Sequence, residues 1–216
     1  MEISSRNLEL IPEIKELEKI SQAIAMLDAI LSPEWESRYY SFNAKWGEKE
    51  RMASMRNGAG DDYFILFDEV GAIIKGFAHE SPMTPYLNER KEIWPGVLTN
   101  VPKEFSSFLS EPAFSLEDTT FCIWRKHTDL FWQRGNIIFP EGEDPDGSED
   151  LLFILDSNPL TYKCWAEDYY EKSVPLSCVE HIFNHLPLNG DLIFALNSSL
   201  SLAVLQNDIL EIAYSL

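Results

Sequence analysis

The sequence predicts an α+β fold, in which an antiparallel β-meander is packed by an N-terminal amphipathic helix and followed by a helical C-terminal portion. Apolar runs of strand length, separated by turn residues, lie before about residue 140, whereas helical patterns prevail from about residue 151. With 216 residues, 45% of them hydrophobic, the chain is long enough to bury a substantial core, so residues 1–216 are expected to form one α+β domain.

The predicted N-terminal helix carries apolar residues at steps of three and four from Ile11 to Leu31. Pro12 suits an opening turn, and Ser32-Pro33 is typical of a helix end. Because most charged side chains fall off this stripe, we expect the apolar stripe to cover one face of the meander.

Three strands of the meander are expected between residues 51 and 80. The run Tyr63–Phe67 has no polar residue, which predicts a strand inside the sheet with both faces covered. A run at Met52–Met55 and a hairpin turn at Asn57-Gly58 precede it. A type I turn at Asp68–Gly71 leads from it to a third run at Ala72–Ala78.

A fourth strand is expected at Tyr39–Trp46. Alternation along this run places four side chains on one face, namely Tyr40, Phe42, Ala44 and Trp46. The sequence therefore predicts a four-stranded meander, to which the residues before 51 contribute the first strand.

Beyond the third run, Pro82 and Pro85 exclude regular structure, so the segment from His79 to Leu87 is expected to cross the surface to a second unit. That unit is predicted to hold a short helix, a strand, and a segment that pairs with the strand: Val101–Leu109, Thr119–Trp124 and Asp129–Pro140. Three further helices are predicted in the C-terminal portion: Asn158–Glu171, Leu176–Leu186, and one beginning near Ser199 or Ser201.

The charge of the chain is strongly negative, at −19, and the excess of acids is largest in the C-terminal half. Binding to nucleic acid or to an anionic membrane needs clustered Lys and Arg, so neither is expected. Three cysteines form no disulfide framework, and no signal peptide or membrane-spanning run is recognised, which together favour a cytoplasmic protein.

The strongest local anomaly is a loop from Glu141 to Asp150 that contains six carboxylates and no base: Glu141, Glu143, Asp144, Asp146, Glu149 and Asp150. A calcium-binding EF-hand is excluded, because alignment on Gly147 places Gly142 and Phe153 at ligand positions. Three interpretations remain: a solvated loop held off the surface by self-repulsion, an acidic loop that binds a partner, and a looser cation site. The six carboxylates are our candidate partner-binding residues.

Other candidate sites have weaker support. Cys178, His181 and His185 have a spacing that soft metals use, but no fourth ligand lies nearby, so neither a metal nor a cofactor is predicted. His79 beside Glu80 and His127 beside Asp129 could serve acid–base chemistry, although surface histidines are the simpler interpretation. No catalytic residue is therefore assigned.

The chain has six tryptophans, among them Trp94, Trp124, Trp132 and Trp165. Core packing is their default interpretation, and exposed aromatic residues are favoured at recognition surfaces. The run Leu130–Trp132 lies in an expected connection between strands.

The segment Val101-Pro102-Lys103-Glu104-Phe105-Ser106-Ser107-Phe108-Leu109 resembles the short helix of the SUKH superfamily, with its Leu/Val-Pro start, its aromatic residue and its Phe-Leu end. This resemblance implies an α+β fold and a role as an immunity protein against a bacterial toxin. Together with the charge, it favours a non-catalytic binding protein, of immunity or regulatory type, that binds a basic protein partner. The alternatives are an enzyme of unrecognised type and a structural or regulatory protein.

Overall fold

The computed structural model describes residues 2–87 and 91–215. Over these residues the chain forms one six-stranded antiparallel sheet in which every strand pairs with its neighbours in sequence. The strands are β1 Tyr40–Gly47, β2 Glu50–Arg56, β3 Asp62–Phe67, β4 Gly71–Phe77, β5 Phe121–Lys126 and β6 Gln133–Arg134. The predicted meander is confirmed, and it is two strands longer than expected.

Seven α-helices are present in the described residues, most of them after the last strand. They are α1 Ile14–Leu31, α2 Ser106–Leu109, α3 Ser148–Leu152, α4 Pro159–Tyr170, α5 Leu176–Phe183, α6 Gly190–Leu196 and α7 Gln206–Ile212. The predicted α+β fold class is confirmed. At α4 the Asn158 side chain accepts a hydrogen bond from Leu160 N, as expected of an N-cap. The sequence analysis did not predict α3 or α6.

The two faces of the sheet bury separate cores. The helical-side core lies between the sheet and the helices, and α1 contributes eleven buried apolar residues to it. It takes alternate residues of β3, namely Tyr63, Ile65 and Phe67. The predicted apolar stripe of the N-terminal helix therefore covers one face of the sheet, as expected.

The loop-side core lies on the opposite face, where Phe64 and Leu66 of β3 meet the chain segment between β4 and β5, which is largely irregular over residues 81–87 and 91–118. This segment buries five apolar anchors against the sheet: Met83, Val97, Phe105, Phe108 and Phe114. The prediction that β3 is covered on both faces is confirmed. The segment from His79 to Leu87, which was expected to cross the surface, does so only in part, because Met83 is buried in this core whereas Tyr86 and Leu87 are exposed.

The predicted second unit also proves to be part of the same sheet. β5, which was expected to belong to that unit, pairs with β4 from Gly71↔Lys126 to Gly76↔Phe121. The segment expected to pair with β5 contributes only the two residues of β6.

The first strand departs from its expected alternation near its end. Pairing of β1 with β2 is regular from Tyr40 to Asn43 and resumes at Gly47, with an irregularity between them. Tyr40 and Phe42 belong to the helical-side core, whereas Trp46 is 37% exposed and stacks on Phe114 of the loop-side core. The prediction that Trp46 shares the face of Tyr40 and Phe42 is wrong, because the irregularity interrupts the two-residue period.

Among residues 2–87 and 91–215, no helix combines the length and the apolar character needed to cross a bilayer.

Candidate binding surface

The acidic loop is anchored to the protein through the carboxylate of Asp146, which is fully buried. Oδ1 accepts hydrogen bonds from Ser148 N at 3.0 Å and from Ser148 Oγ at 2.7 Å, and Oδ2 accepts one from Ser5 Oγ. The Asp146 carbonyl accepts a further hydrogen bond from Thr120 Oγ1 at 2.7 Å. Burial raises the pKa of Asp146, while the Ser5 and Ser148 hydrogen bonds act in the opposite direction.

The N-terminal segment forms the other half of this anchor. Ser5 N donates to Ser148 Oγ at 2.8 Å, and the Ser5 carbonyl accepts from Arg134 Nε on β6 at 2.7 Å. Arg6 lies 3.8 Å from the Glu149 carboxylate. The loop is therefore tied to two other parts of the chain by buried hydrogen bonds.

Close packing adds to this attachment at Gly147, where the backbone has φ +74°. A side chain at this position would place its Cβ 2.1 Å from the Cβ of Ala78, so the position requires glycine. The interpretation of a solvated loop held off the surface is wrong, because residues 145–148 are buried.

The six candidate partner-binding residues consequently fall into two groups. Glu141, Glu143 and Asp150 are exposed, and Asp144 and Glu149 are partly buried. Asp146 was included in the candidate contact set, but its complete burial removes it from any contact with a partner.

A histidine–carboxylate pair lies near the loop. His79 Nδ1 is 2.7 Å from Asp61 Oδ1, and the same oxygen accepts from His79 N at 2.7 Å. His79 Nε2 is 3.8 Å from Glu80 Oε1. The Asp61 hydrogen bond is the main cause that raises the pKa of His79. The pKa of Asp61 is lowered because bonds from His79 and Asn57 outweigh the opposing effect of burial.

Sequence reasoning paired His79 with Glu80 and missed Asp61. The sequence did contain the information needed to place Asp61 near His79. The turn at Asp68–Gly71 fixes the pairing of β3 with β4, as in Asp62↔Phe77. Counting outward from that turn places Asp61 opposite Ala78 and hence beside His79.

The loop packs against this end of the sheet, where Gly147 lies against Ala78, the residue before His79. Burial raises the pKa of Asp150, and the negative charges of Asp144 and Asp61 raise it further. We define the acidic surface as the five loop carboxylates that are not fully buried together with two at the sheet end: Asp61, Glu80, Glu141, Glu143, Asp144, Glu149 and Asp150.

Three aromatic rings pack against one another at Tyr39 before β1 and at Trp165 and Tyr169 on α4. Burial raises the pKa of Tyr39 to about 12, and the charges of Asp150 and Asp61 contribute to the rise. The phenol of Tyr39 therefore lies within the field of the acidic surface. We call these three residues the aromatic corner.

A buried carboxylate, Asp28 of α1, holds the base of the aromatic corner. Its Oδ2 accepts from Tyr39 N at 3.0 Å and from Tyr40 N at 2.8 Å, and its Oδ1 accepts from Tyr162 Oη at 2.7 Å. Burial raises the pKa of Asp28 to about 6 despite these bonds. The sequence pattern gave no indication of this residue, which lies within an otherwise apolar helix face.

The predicted candidates for metal binding do not converge. His181 Nε2 lies 2.9 Å from the Pro187 carbonyl, and His185 Nε2 lies 2.9 Å from the Lys19 carbonyl. α5 ends at Phe183, and His185 has φ +52°, so the helical spacing assumed for these residues does not reach His185. Within residues 2–87 and 91–215, no group of three or more His, Cys, Asp or Glu is placed to hold a metal ion.

The second histidine candidate, His127, contacts the Asp68 carbonyl through Nε2 at 3.2 Å rather than the side chain of Asp129. Asp129 instead accepts a hydrogen bond from Lys126 N at 2.9 Å. His127 and Asp129 therefore bond to different backbone groups and do not form a pair.

A cavity of about 360 Å³ lies beside the N-terminal segment. Its lining comprises Glu2, Ile3, Leu10, Phe153, Asp156 and Thr161. Asp156 accepts a hydrogen bond from Thr161 Oγ1, and the lining contains no histidine or cysteine.

Comparisons of this chain with known protein families, with curated proteins and with solved structures found no match.

Proposed function

We propose that this chain is a non-catalytic binding protein whose acidic surface meets a basic protein partner. The resemblance of Val101–Leu109 to the SUKH superfamily favours an immunity-type role, in which the partner would be a basic toxin. A regulatory role toward a basic partner would require the same acidic contact surface.

The observation that carries this proposal is the anchoring of the acidic loop. Six carboxylates in ten residues repel one another, and a free loop would spread them through solvent. Here the Asp146 bonds to Ser5 and Ser148 fix the backbone. Glu141, Glu143 and Asp150 are the exposed members on either side of this fixed segment, and the charge of Asp61 acts on Asp150. A fixed array of like charges loses little conformational freedom on binding and attracts cationic surfaces.

A second candidate function rests on the His79–Asp61 pair. A histidine oriented by a carboxylate is a common acid–base unit, and His79 is partly exposed. Glu80 faces the other ring nitrogen, which gives the pair an equally direct role as part of the acidic surface. Replacement His79→Gln separates the functions, because it abolishes a reaction that uses the imidazole but leaves salt-dependent partner capture in place.

The main test compares two triple variants of equal net charge. In the surface variant, Glu141, Glu143 and Glu149 become Gln. In the control variant, three exposed acids outside the acidic surface become Gln: Glu34, Glu48 and Glu180. Asp146 is left unchanged in both, because its replacement would release the loop.

Tagged protein is first used to capture partners from native lysate at low and high salt, and the association rate of the purified partner is then measured. The surface variant is expected to associate at least about tenfold more slowly at low salt and to show a flatter salt dependence, because charge steering acts mainly on the association rate. The control variant should associate nearly as fast as the wild-type protein. Equal slowing in both variants would attribute the effect to net charge and reject a specific surface.

A further inference from the structure

The aromatic corner has a geometry suited to a flat cation. Trp165 and Tyr169, four residues apart on α4, are stacked with centroids 5.3 Å apart and an interplanar angle of 12°. The Tyr39 ring stands across both, at 64° to Trp165 and 75° to Tyr169, with centroid distances of 4.9 Å and 5.0 Å. Tyr169 is 47% exposed, so the corner opens to solvent.

Buried residues next to the aromatic corner fix the positions of its rings. The backbone N–H of Tyr39 is bound by the buried Asp28 carboxylate, and Trp165 packs against Tyr40 at 4.9 Å and against Tyr162 at 5.5 Å. Rings that are already ordered lose little freedom when a ligand binds, which is the property that makes Tyr and Trp effective at interfaces.

The charges around the corner favour a cation. The carboxylates of Asp150 and Asp61 act on the Tyr39 phenol, and Asp168 is exposed on α4 next to Tyr169. Two bases near the corner are paired, Arg38 with Asp208 and Lys163 with Glu167. A third base, Arg56, donates its backbone N–H to the Tyr39 carbonyl at 2.9 Å and places its guanidinium over the Phe64 ring. Arginine satisfies such a site better than lysine, because its planar guanidinium stacks on aromatic rings and forms paired hydrogen bonds with a carboxylate.

We propose that the aromatic corner of Tyr39, Trp165 and Tyr169 receives an arginine side chain of the basic partner, with Asp150 as its ionic counterpart. This inference rests on the proposed function, since it specifies the contact through which the acidic surface recognises its partner. The surrounding carboxylates attract the basic protein, and the corner selects arginine within it.

The test uses protein labelled with 5-fluorotryptophan, whose six resonances are assigned by single replacements, Trp165→Phe giving that of Trp165. The probes are a blocked tetra-arginine peptide and a blocked tetra-lysine peptide of equal charge, and affinity is measured independently by anisotropy of a dye on the peptide. Tetra-arginine is expected to shift the Trp165 resonance saturably and to bind more tightly than tetra-lysine. The resonance of Trp46, at the other end of β1, should stay in place.

Variants on α4 provide matched controls. Tyr169→Ala should weaken tetra-arginine binding about fivefold, as expected for loss of one cation–π partner, whereas Tyr169→Phe should retain the affinity. Leu160→Ala removes a side chain of the same helix with the same exposure, 47%, and should have no effect. A loss in Leu160→Ala as large as that in Tyr169→Ala would overturn the assignment, as would equal affinity for the two peptides.

The outcomes separate this inference from the proposed function. If the Glu141, Glu143 and Glu149 variant weakens peptide binding while the Trp165 resonance stays fixed at saturation, the acidic surface stands and the arginine site is rejected. If tetra-arginine shifts the Trp165 resonance with equal affinity in the wild-type protein and in that variant, the arginine site stands and the role of the loop is rejected. If tetra-arginine does not bind, both proposals fail.

Discussion

The two faces of the sheet are covered by different kinds of chain. On the helical side, α1 and the C-terminal helices present apolar stripes with a regular period. On the loop side, the cover is the segment from Ser81 to Asp118, whose described part has a single α-helix, the four residues of α2, and holds the sheet through separate aromatic and apolar anchors. Both faces nevertheless exclude water from the strands, so a packed core does not require regular secondary structure on both sides.

Each face also buries a charged side chain, Asp28 on the helical side and Lys75 on the loop side, and the two differ in how completely they are hydrogen-bonded. Asp28 on the helical side accepts three hydrogen bonds. Lys75 on the loop side is 1% exposed and donates to the Phe114 carbonyl at 2.5 Å, with Asp62 Oδ1 at 4.0 Å. An ammonium has three donors, so Lys75 is less completely bonded than Asp28.

The largest effect is expected from Asp28→Ala. The substitution leaves Tyr39 N, Tyr40 N and the Tyr162 hydroxyl without their acceptor inside the core, which should lower the free energy of unfolding by about 3–5 kcal/mol. Urea unfolding followed by circular dichroism measures it. Asp168→Ala, an exposed change on α4, should stay within about 0.5 kcal/mol of the wild-type protein. A loss in Asp28→Ala of similar size to that control would mean that Asp28 does not organise this face.

A second comparison sets Leu66→Ala against Ile65→Ala, neighbouring residues of β3 that face opposite cores. Leu66 is 2% exposed and Ile65 is 0% exposed, so each truncation should cost about 2–5 kcal/mol through lost burial and the cavity left behind. The same unfolding measurement applies. A cost below about 1 kcal/mol at Leu66 alone would show that the irregular segment does not pack as a true core.

The titration of Asp28 should appear in the pH dependence of stability. Its pKa is about 6 in the folded protein against an ordinary value of 3.8, so the folded state binds the proton more tightly than the unfolded state does. Stability of the wild-type protein should therefore fall relative to Asp28→Asn as the pH rises from about 4 to 6, by up to about 3 kcal/mol. Unfolding free energies of both proteins at half-unit pH steps test this. A constant difference across that range would show that Asp28 does not titrate there.

The helical face was accessible to sequence reasoning because its signal is periodic. The stripe of α1, the Asn158 cap of α4 and the unbroken apolar run of β3 all have local causes, and each appears at the expected place. The loop-side cover has no period. Its anchors, such as Met83, Val97 and Phe114, are separated by irregular distances, and only the three-dimensional path of the chain brings them together.

The candidate surface was predictable only in part, for a related reason. The acidity of residues 141–150 is a property of composition and could be seen directly. The buried position of Asp146 depends on Ser5, which is 141 residues away, and no local pattern encodes that distance. The aromatic corner likewise joins Tyr39 to α4 across more than 120 residues. Contacts of this kind follow from the fold rather than from spacing.

The smallest effect is expected from Lys75→Met on the loop-side face. Lys75 loses hydration on burial and recovers only part of it through the Phe114 carbonyl, so a methionine of similar length should leave the unfolding free energy at pH 7 within about 1 kcal/mol of wild type.

Burial lowers the pKa of Lys75 below its ordinary 10.5. The unfolded state therefore binds more protons as the pH approaches 10.5, and wild-type stability should rise relative to Lys75→Met there. This dependence of stability on pH has the opposite sign to that expected for Asp28. Unfolding free energies of wild type and Lys75→Met that change equally between pH 8 and about 10.5 would contradict it. A loss above about 3 kcal/mol at pH 7 would instead show that Lys75 fixes the Phe114 segment to the sheet as firmly as Asp28 fixes the opposite face.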